Sequence, residues 1–445
     1  MRFSNQDLKK LIIPLLIEQV LSISIGVADT IMVSQVGEAA VSGVSLVDMI
    51  NVLIIQAFAA LATGGAVVCA QFIGQKREDL ACRSADQLVL ISSVISIVIM
   101  MVCLIFRRGI IRAAFGVLEP DVLNNALIYL MITSISFPFL AVYNSCAALF
   151  RAMGNSRISM LTSLCMNVIN IGGNAVLIFG FHFGVEGVAI PSLISRAAAA
   201  VIMVVLIRRP SVPVHISPRP CVHFDLLMIK RILNIGIPSG LESGFFNFGK
   251  IIVISIIASF GTAQIAANAV ANNIDNICCI PGNAVGLAMI TVIGQCVGAG
   301  DVEQVRYYTK KLMKICYAGA AVLILSVLLV LPWVLNLYQL SDETMRIAKI
   351  LIYMHNITAL FIWPLSFALP NMLRACNDVR YTMMVSIFSM CVVRILFSYL
   401  LGKYLSYGAV GVWAAMLLDW IVRMTFFLFR YRGGTWKKTM LQYVG

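Results

Sequence analysis

Apolar residues run through this chain in long stretches, and its polar residues gather in short clusters between them. A helix needs roughly 20 mostly apolar residues to cross the hydrocarbon layer of a bilayer. Twelve stretches meet that length: 11–34, 45–72, 86–106, 123–150, 158–180, 186–207, 229–259, 267–297, 312–335, 347–373, 381–402 and 409–430. Backbone in hydrocarbon has to satisfy its own hydrogen bonds, and a helix does so within one segment. The pattern predicts an all-α polytopic membrane protein with twelve transmembrane helices. The opening MRFSNQDLKK leads into an apolar run that holds Pro14 and Glu18, with no small-residue cleavage site, so the first span is expected to be retained.

Composition agrees. Of 445 residues, 60% are hydrophobic and 12% charged, about half the charged share of a soluble chain. The net charge of +13 might suggest nucleic acid, but its distribution points elsewhere. With the N-terminus inside, 23 of the 33 Lys and Arg fall on the inner side. With span ends counted with the loops they adjoin, six fall on the outer side (Arg107, Arg108, Arg112, Arg346, Lys349 and Lys403), and four lie deeper within spans. That asymmetry is the positive-inside bias. It predicts a multi-pass protein of the cell's inner (plasma) membrane, both termini cytoplasmic, with the bilayer rather than nucleic acid as partner. The twelve cysteines lie mostly in apolar segments (Cys69, Cys103, Cys146, Cys278, Cys279 and Cys316), without a CxxC pair or a nearby His cluster. They read as small buried side chains rather than metal ligands, and no cofactor is expected.

The basic, proline-rich stretch RRPSVPVHISPRPCVHF divides the chain. The expected organisation is an N-lobe over 1–208 (spans 1–6), a cytoplasmic linker over 209–227, and a C-lobe over 228–445 (spans 7–12 and a short tail). A shift of 224 residues lays the second half on the first without a gap for about sixty residues: Pro14 on Pro238, Glu18 on Glu242, Gly37 on Gly261, Gln71 on Gln295 and Gly74 on Gly298. Further on, FRAMGNSRISM matches LRACNDVRYTM, placing Arg151 on Arg374 and Arg157 on Arg380, and GVEGVA matches GAVGVW. So many matches in one order indicate duplication. Six spans per half give both lobes one orientation, related by a pseudo-two-fold axis along the membrane normal.

These residues also resemble a known family. Pro14, Glu18, ADT with Asp29, Gly37, the AQ-x-x-G end of span 2 (Gln71, Gly74), RAMGN after span 4, Asn170 and Asn174 before LIFG, and the G-V-x-G-V-A of span 6 are similar to the multidrug and toxic compound extrusion (MATE) family of the MOP exporter superfamily. The resemblance covers essentially the whole chain. It implies two six-helix lobes around a central cleft, acting as a transporter, and antiport of organic, often cationic, compounds against H⁺ or Na⁺. Many relatives carry Asp where this chain has Asn174, which puts a two-carboxylate proton relay in doubt unless Asp48 or Glu18 substitutes.

A carboxylate in hydrocarbon costs roughly 2.5–3.5 kcal/mol on insertion scales, so each intramembrane charge needs a partner, a proton or a cavity. Asp29 has an acid, Asp48, as its equal-depth neighbour across the first hairpin, and no Lys or Arg in span 2 neutralises it. Such an acid can take a proton from one side and release it to the other. With oxygens from Asn170 or Asn174 it would instead suit Na⁺, and hydrogen bonding for packing is the plainer reading. Glu18 lies 11 residues from Asp29, about 20° from whole turns and about 16 Å along the helix. With Ser22 and Gly26 between them, the two acids form a stripe suited to the wall of a cleft. By the same equal-depth argument Arg394 pairs with Asp419, and Lys250 with Asp275 unless these two exchange partners during transport. Glu242 either binds a cation in the second lobe or is structural. Val253 stands in the place of Asp29, so the principal ion site is expected in the first lobe. Pro138, Pro281, Pro364 and Pro370 would kink or hinge their spans, and Phe246 and Met289 are candidates for an apolar substrate wall.

The sequence thus reads as an ion-coupled exporter working by alternating access. Its cargo would be amphipathic organic compounds, expected to be cationic, and it would act as a monomer. A lipid-linked oligosaccharide flippase of the same superfamily is the alternative, which would need a basic cleft. An enzyme is not expected, since no Walker loop, HExxH or GxSxG occurs.

Overall fold

The structure is a computed structural model describing residues 2–217, 223–338 and 340–441. All regular structure among the described residues is helical. In chain order the helices are α1 (Asn5–Ser34), α2 (Glu38–Gly74), α3 (Glu78–Phe115), α4 (Pro120–Ile135), α5 (Phe137–Ala152), α6 (Ser156–Ala175), α7 (Glu186–Ile207) and α8 (Leu226–Ala258). There follow α9 (Thr262–Cys278), α10 (Ile280–Gly298), α11 (Val302–Leu337), α12 (Asp342–Ala359), α13 (Leu369–Ala375), α14 (Val379–Phe388), α15 (Gly408–Gly433) and α16 (Trp436–Leu441). π-Helical segments extend α6 over Val176–Gly180 and α14 over Ser389–Ile395 and Ser398–Tyr404.

Among the described residues, ten helical spans are long and apolar enough to cross a membrane singly. Two more are bent: α4 with α5 turns by 45°, and α12 with Pro364–Ala375 by 66°, giving twelve. Proline explains where two of the expected kinks fall. Pro138 stands at the start of α5 and Pro364 just after the end of α12, where a missing N–H and a ring in place of a hydrogen bond break the ladder. Pro281 opens α10 after a break that divides the expected span 267–297 into α9 and α10. Pro14, Pro191, Pro238 and Pro332 sit inside continuous helices. Helix α1 starts before its apolar run because Ser4 and Asp7 cap each other's backbone N–H, at 3.1 and 2.8 Å.

The chain forms two compact units, Phe3–Gly240 and Leu241–Gly445 with Arg2, the boundary falling inside α8. Residues 218–222 of the expected linker lie outside the described residues. Flanking parts of that linker are tied to α3: Ser217 N donates to Asp86 at 2.8 Å, and Arg83 pairs with Asp225 at 2.8 Å.

In the first unit α1 lies along α6, α2 packs on α3, α4 and α5, and α7 packs on α5 and α6. Val33, Val44, Val47, Leu130 and Val188 form a buried core there. A Cβ on Gly64 would stand 2.6 Å from Ile232 O, so only glycine lets α2 meet the start of α8 this closely. In the second unit α10 packs on α11 and α13, and α12 on α9 and α15. Its core includes Ile274, Leu351, Ile352, Trp413 and Trp420. Duplication is visible in the contacts as well: Gly187 abuts Ile178 in the first unit, and Gly411 abuts Leu401 in the second.

Candidate functional site

Glu18 and Asp29 both face α6, but their surroundings differ. Glu18 is held by Arg151 at the end of α5 (Nη1 to Oε1, 3.0 Å) and by the hydroxyl of Ser159 (2.8 Å). The two charged side chains are 12% and 16% exposed. Glu18, expected as a coupling-ion candidate, thus sits in an ion pair that joins α1, α5 and α6. The equal-depth argument compared only adjacent spans and could not reach α5. Between the two acids the stripe is open: Ser22 and Gly26 are exposed, and a Cβ on Gly26 would meet nothing within 4 Å.

Asp29 is half-buried and receives one hydrogen bond, from Asn174 Nδ2 to its Oδ1 at 2.6 Å. Asn174 Nδ2 also reaches Asn170 Oδ1 at 3.5 Å, while Asn170 Nδ2 donates to Ser192 at 2.9 Å. Asn170 thus meets Asp29 only through Asn174. These asparagines recur four residues apart on α6, which stacks them on one face toward α1 and α7. Asn174 Oδ1 is buried without a hydrogen-bond partner. Turning that amide over would present an oxygen to the carboxylate in place of the donor, which is what an Na⁺ ligand set needs.

Asp48 on α2 accepts from Tyr129 Oη at 3.1 Å and from Asn51 Nδ2 at 3.3 Å. Arg196 on α7 donates to Ser136 at 2.7 Å and lies close enough to Asp29, Asp48 and Tyr129 for their charges to interact. Among the described residues, neither acid has a Lys or Arg nitrogen within 4.0 Å. This corner of the first unit therefore holds two acids with amide and phenol donors and one cation nearby, none of it locked into a salt bridge. Chemically it can bind and release a small cation. Tyr129 was not singled out from sequence, because a tyrosine in an apolar run carries no local mark.

In the second unit Glu242 repeats the arrangement of Glu18. Arg374 Nη2 lies 2.8 Å from Glu242 Oε2, and Ser386 donates to Oε1 at 2.5 Å. Glu242 is buried within this cluster. Asp275 does not meet Lys250. Asn356 Nδ2 donates to its Oδ1 at 2.8 Å, and His355 Nδ1 lies 3.2 Å from the same oxygen, so α12 supplies the partners that the hairpin was expected to provide. Asp419 is bonded to Ser389 and to Arg423 (3.2 Å), with Arg394 farther off at 4.0 Å. Met289 is fully buried in α10, whereas Phe246 lines a cavity in this unit that Met289 does not reach. A cavity of about 210 Å³ opens beside Phe246, Lys250, Asp275, His355, Arg394 and Trp420.

The MatE family model matches this chain twice, over residues 14–176 and 238–400. The two matches are offset by the same 224 residues as the internal repeat. The transporter YisQ of Bacillus subtilis is 28% identical over 95% of this chain and 93% of its own length. The probable multidrug resistance protein NorM of Thermotoga maritima is 23% identical over 98% and 93%. Among solved structures, a MOP superfamily transporter from Pyrococcus furiosus superposes with a TM-score of 0.89 at 21% identity, covering 97% of this chain and 96% of that one. For that protein a reversed polarity of the binding pocket has been taken to suggest a different function. A MATE structure in the bent conformation also gives 0.89, at 21% identity over 98% and 97%.

Proposed function

This chain belongs to the MatE family of transporters, and from that premise we propose that it is a secondary antiporter of the cell membrane. It exports amphipathic organic compounds in exchange for inward H⁺ or Na⁺ by alternating access, as a monomer with both termini inside. The observation that carries the coupling assignment is the contact of 2.6 Å between Asn174 and Asp29, in a cluster where neither Asp29 nor Asp48 has a salt bridge. An acid in a salt bridge resists exchange of its counter-charge. One held by a single amide can accept a proton or a sodium ion and lose it again.

Organic cations are the cargo that the resemblance implies. The charges are divided between the units: the α1–α6 face of the first carries carboxylates, whereas the cavity of the second carries an ammonium and a guanidinium. The second feature favours one other reading, a lipid-linked oligosaccharide flippase whose pyrophosphate would be held by Lys250 and Arg394. The exporter stands ahead because the family model spans both halves of the chain and the NorM relative, similar over nearly its whole length, is named a probable multidrug resistance protein.

Transport in proteoliposomes tests the assignment, with H⁺ and Na⁺ gradients imposed separately on wild type and Asp29→Asn. A fluorescent organic cation and a fluorescent organic anion would be run in parallel. Uphill transport driven by one gradient and lost in the variant supports coupling at Asp29 and names the ion. Undiminished transport by the variant would remove coupling from Asp29.

A further inference from the structure

The cavity of the second unit is walled by rings. Trp363 stacks on Phe367 with centroids 5.2 Å apart, Phe367 meets Trp420 edge-on at 5.8 Å, and Phe246 meets Phe367 edge-on at 6.1 Å. A box of aromatic faces would ordinarily suit an organic cation, but here two of the rings, Phe246 and Phe367, already face the protein's own cations. Lys250 Nζ lies 5.1 Å from the Phe246 centroid, and the guanidinium carbons of Arg394 and Arg423 lie 5.8 and 5.2 Å from it. Arg423 also covers Phe367 at 5.2 Å. The ring electrons already serve the protein's own cations, and an incoming cation would meet like charge.

Counter-charge is short on this wall. Of its two lining cations, Arg394 shares Asp419 with the nearer Arg423, and Lys250 has no hydrogen bond or salt bridge among the described residues. The one lining acid, Asp275, is already bonded to Asn356 and has His355 at 3.2 Å. Arg394 Nε and Trp420 Nε1 are buried donors without a partner.

The repeat strengthens the case. Under the shift of 224, Phe246 stands in the place of Ser22, Lys250 in the place of Gly26 and Val253 in the place of Asp29. The same helix face has lost a carboxylate and gained an ammonium.

We propose that this cavity binds a one- or two-ring aromatic anion, its ring against Trp363 and Trp420 and its carboxylate or sulfonate between Lys250 and Arg394. As a statement about cargo this rests on the exporter reading, but as a binding site it does not.

Three of the five tryptophans, Trp363, Trp413 and Trp420, line the cavity, so intrinsic fluorescence reports occupancy. Full-length protein in phosphatidylcholine nanodiscs would be titrated with 2-naphthoate and with its cationic counterpart 2-naphthylmethylammonium, against protein-free discs. We expect 2-naphthoate to bind at least tenfold more tightly, Lys250→Met to abolish that preference, and Lys250→Arg to keep it within about threefold. Equal or reversed preference in the wild type overturns the proposal, even if neither variant folds. Preference retained by a folded Lys250→Met overturns the role of Lys250. Inorganic pyrophosphate displacing 2-naphthoate at lower concentration than naphthoate itself would overturn the aromatic ligand in favour of a phosphate head group. Because binding is read without any gradient, a failure of antiport in vesicles would leave this result standing, and the two failures are distinguishable.

Discussion

Arg151 lies 3.0 Å from Glu18 and ties α5 to α1 through a pair of charges that are both largely shielded from solvent. Removing one partner from such a pair strands the other, at about 3–5 kcal/mol. Arg151→Met should therefore lower the thermal unfolding midpoint sharply, and adding Glu18→Gln should recover part of the loss. A double-mutant cycle in detergent should give a coupling above roughly 0.5 kcal/mol. Strictly additive losses would mean that the contact contributes no interaction energy.

The amide of Asn174 is the one hydrogen-bond donor to Asp29. Hydrogen bonds to charged groups are worth about 1.5–3 kcal/mol, or roughly ten- to a hundredfold in an equilibrium constant. Asn174→Ala should raise, by about tenfold or more, the Na⁺ concentration needed for half-maximal exchange, whereas if H⁺ is the coupling ion it should lower the H⁺ concentration needed by a similar factor, because the lost bond favoured the ionised carboxylate. An unchanged concentration dependence would detach Asn174 from the ion site.

Gly282 faces Trp363 so closely that an added Cβ would fall 1.8 Å from the indole. Gly282→Ala must push the indole or α10 aside, and overpacking of this kind costs about 1–3 kcal/mol. Gly26→Ala is the internal comparison, since nothing lies within 4 Å of the added atom. We expect a clear fall in unfolding temperature for the first variant and little change for the second. Equal effects would contradict the packing described for α10.

Asp301 caps α11, accepting from Gln304 N at 2.9 Å and Gln304 Nε2 at 2.7 Å. The backbone bond from Gln304 is the main reason its carboxyl sits below the usual carboxylate range. A depressed carboxyl stabilises the fold above its unfolded pKa, near 3.8, and the benefit fades as pH falls through the lower folded value. Asp301→Ala should therefore lower the unfolding temperature at pH 7, by a cap's worth of about 0.5–2 kcal/mol. The gap to wild type should narrow at pH 3. A gap that stays constant between the two pH values would rule out the ionised cap as its source.

Spans and duplication were legible in the sequence because both are properties of local order. Apolar runs mark helices wherever they pack, and Pro14 on Pro238 or Glu18 on Glu242 needs no coordinates. Partners across helices were much less so. Equal depth in a hairpin brought Arg394 to 4.0 Å from Asp419 yet missed Arg423, one turn along the same helix as Asp419. It paired Asp275 with Lys250, when His355 and Asn356 of α12 were nearer. Which helices are neighbours is decided by whole faces packing together, and no single hairpin contains that information. The recurrence of a glutamate and an arginine in both halves was the available signal for Glu18–Arg151, since two residues duplicated together are well placed to be partners.

The two glutamate–arginine contacts also order events in time. Glu18 with Arg151 and Glu242 with Arg374 occupy matching places, so the single six-helix ancestor that was copied already possessed this brace. Asp29 opposite Val253, and Gly26 opposite Lys250, have no such agreement and were settled after copying. The frame of this protein is older than its chemistry: one inherited scaffold was free to drift toward opposite charge in its two descendants, because the brace that kept each copy folded lay a few turns away from the residues that changed.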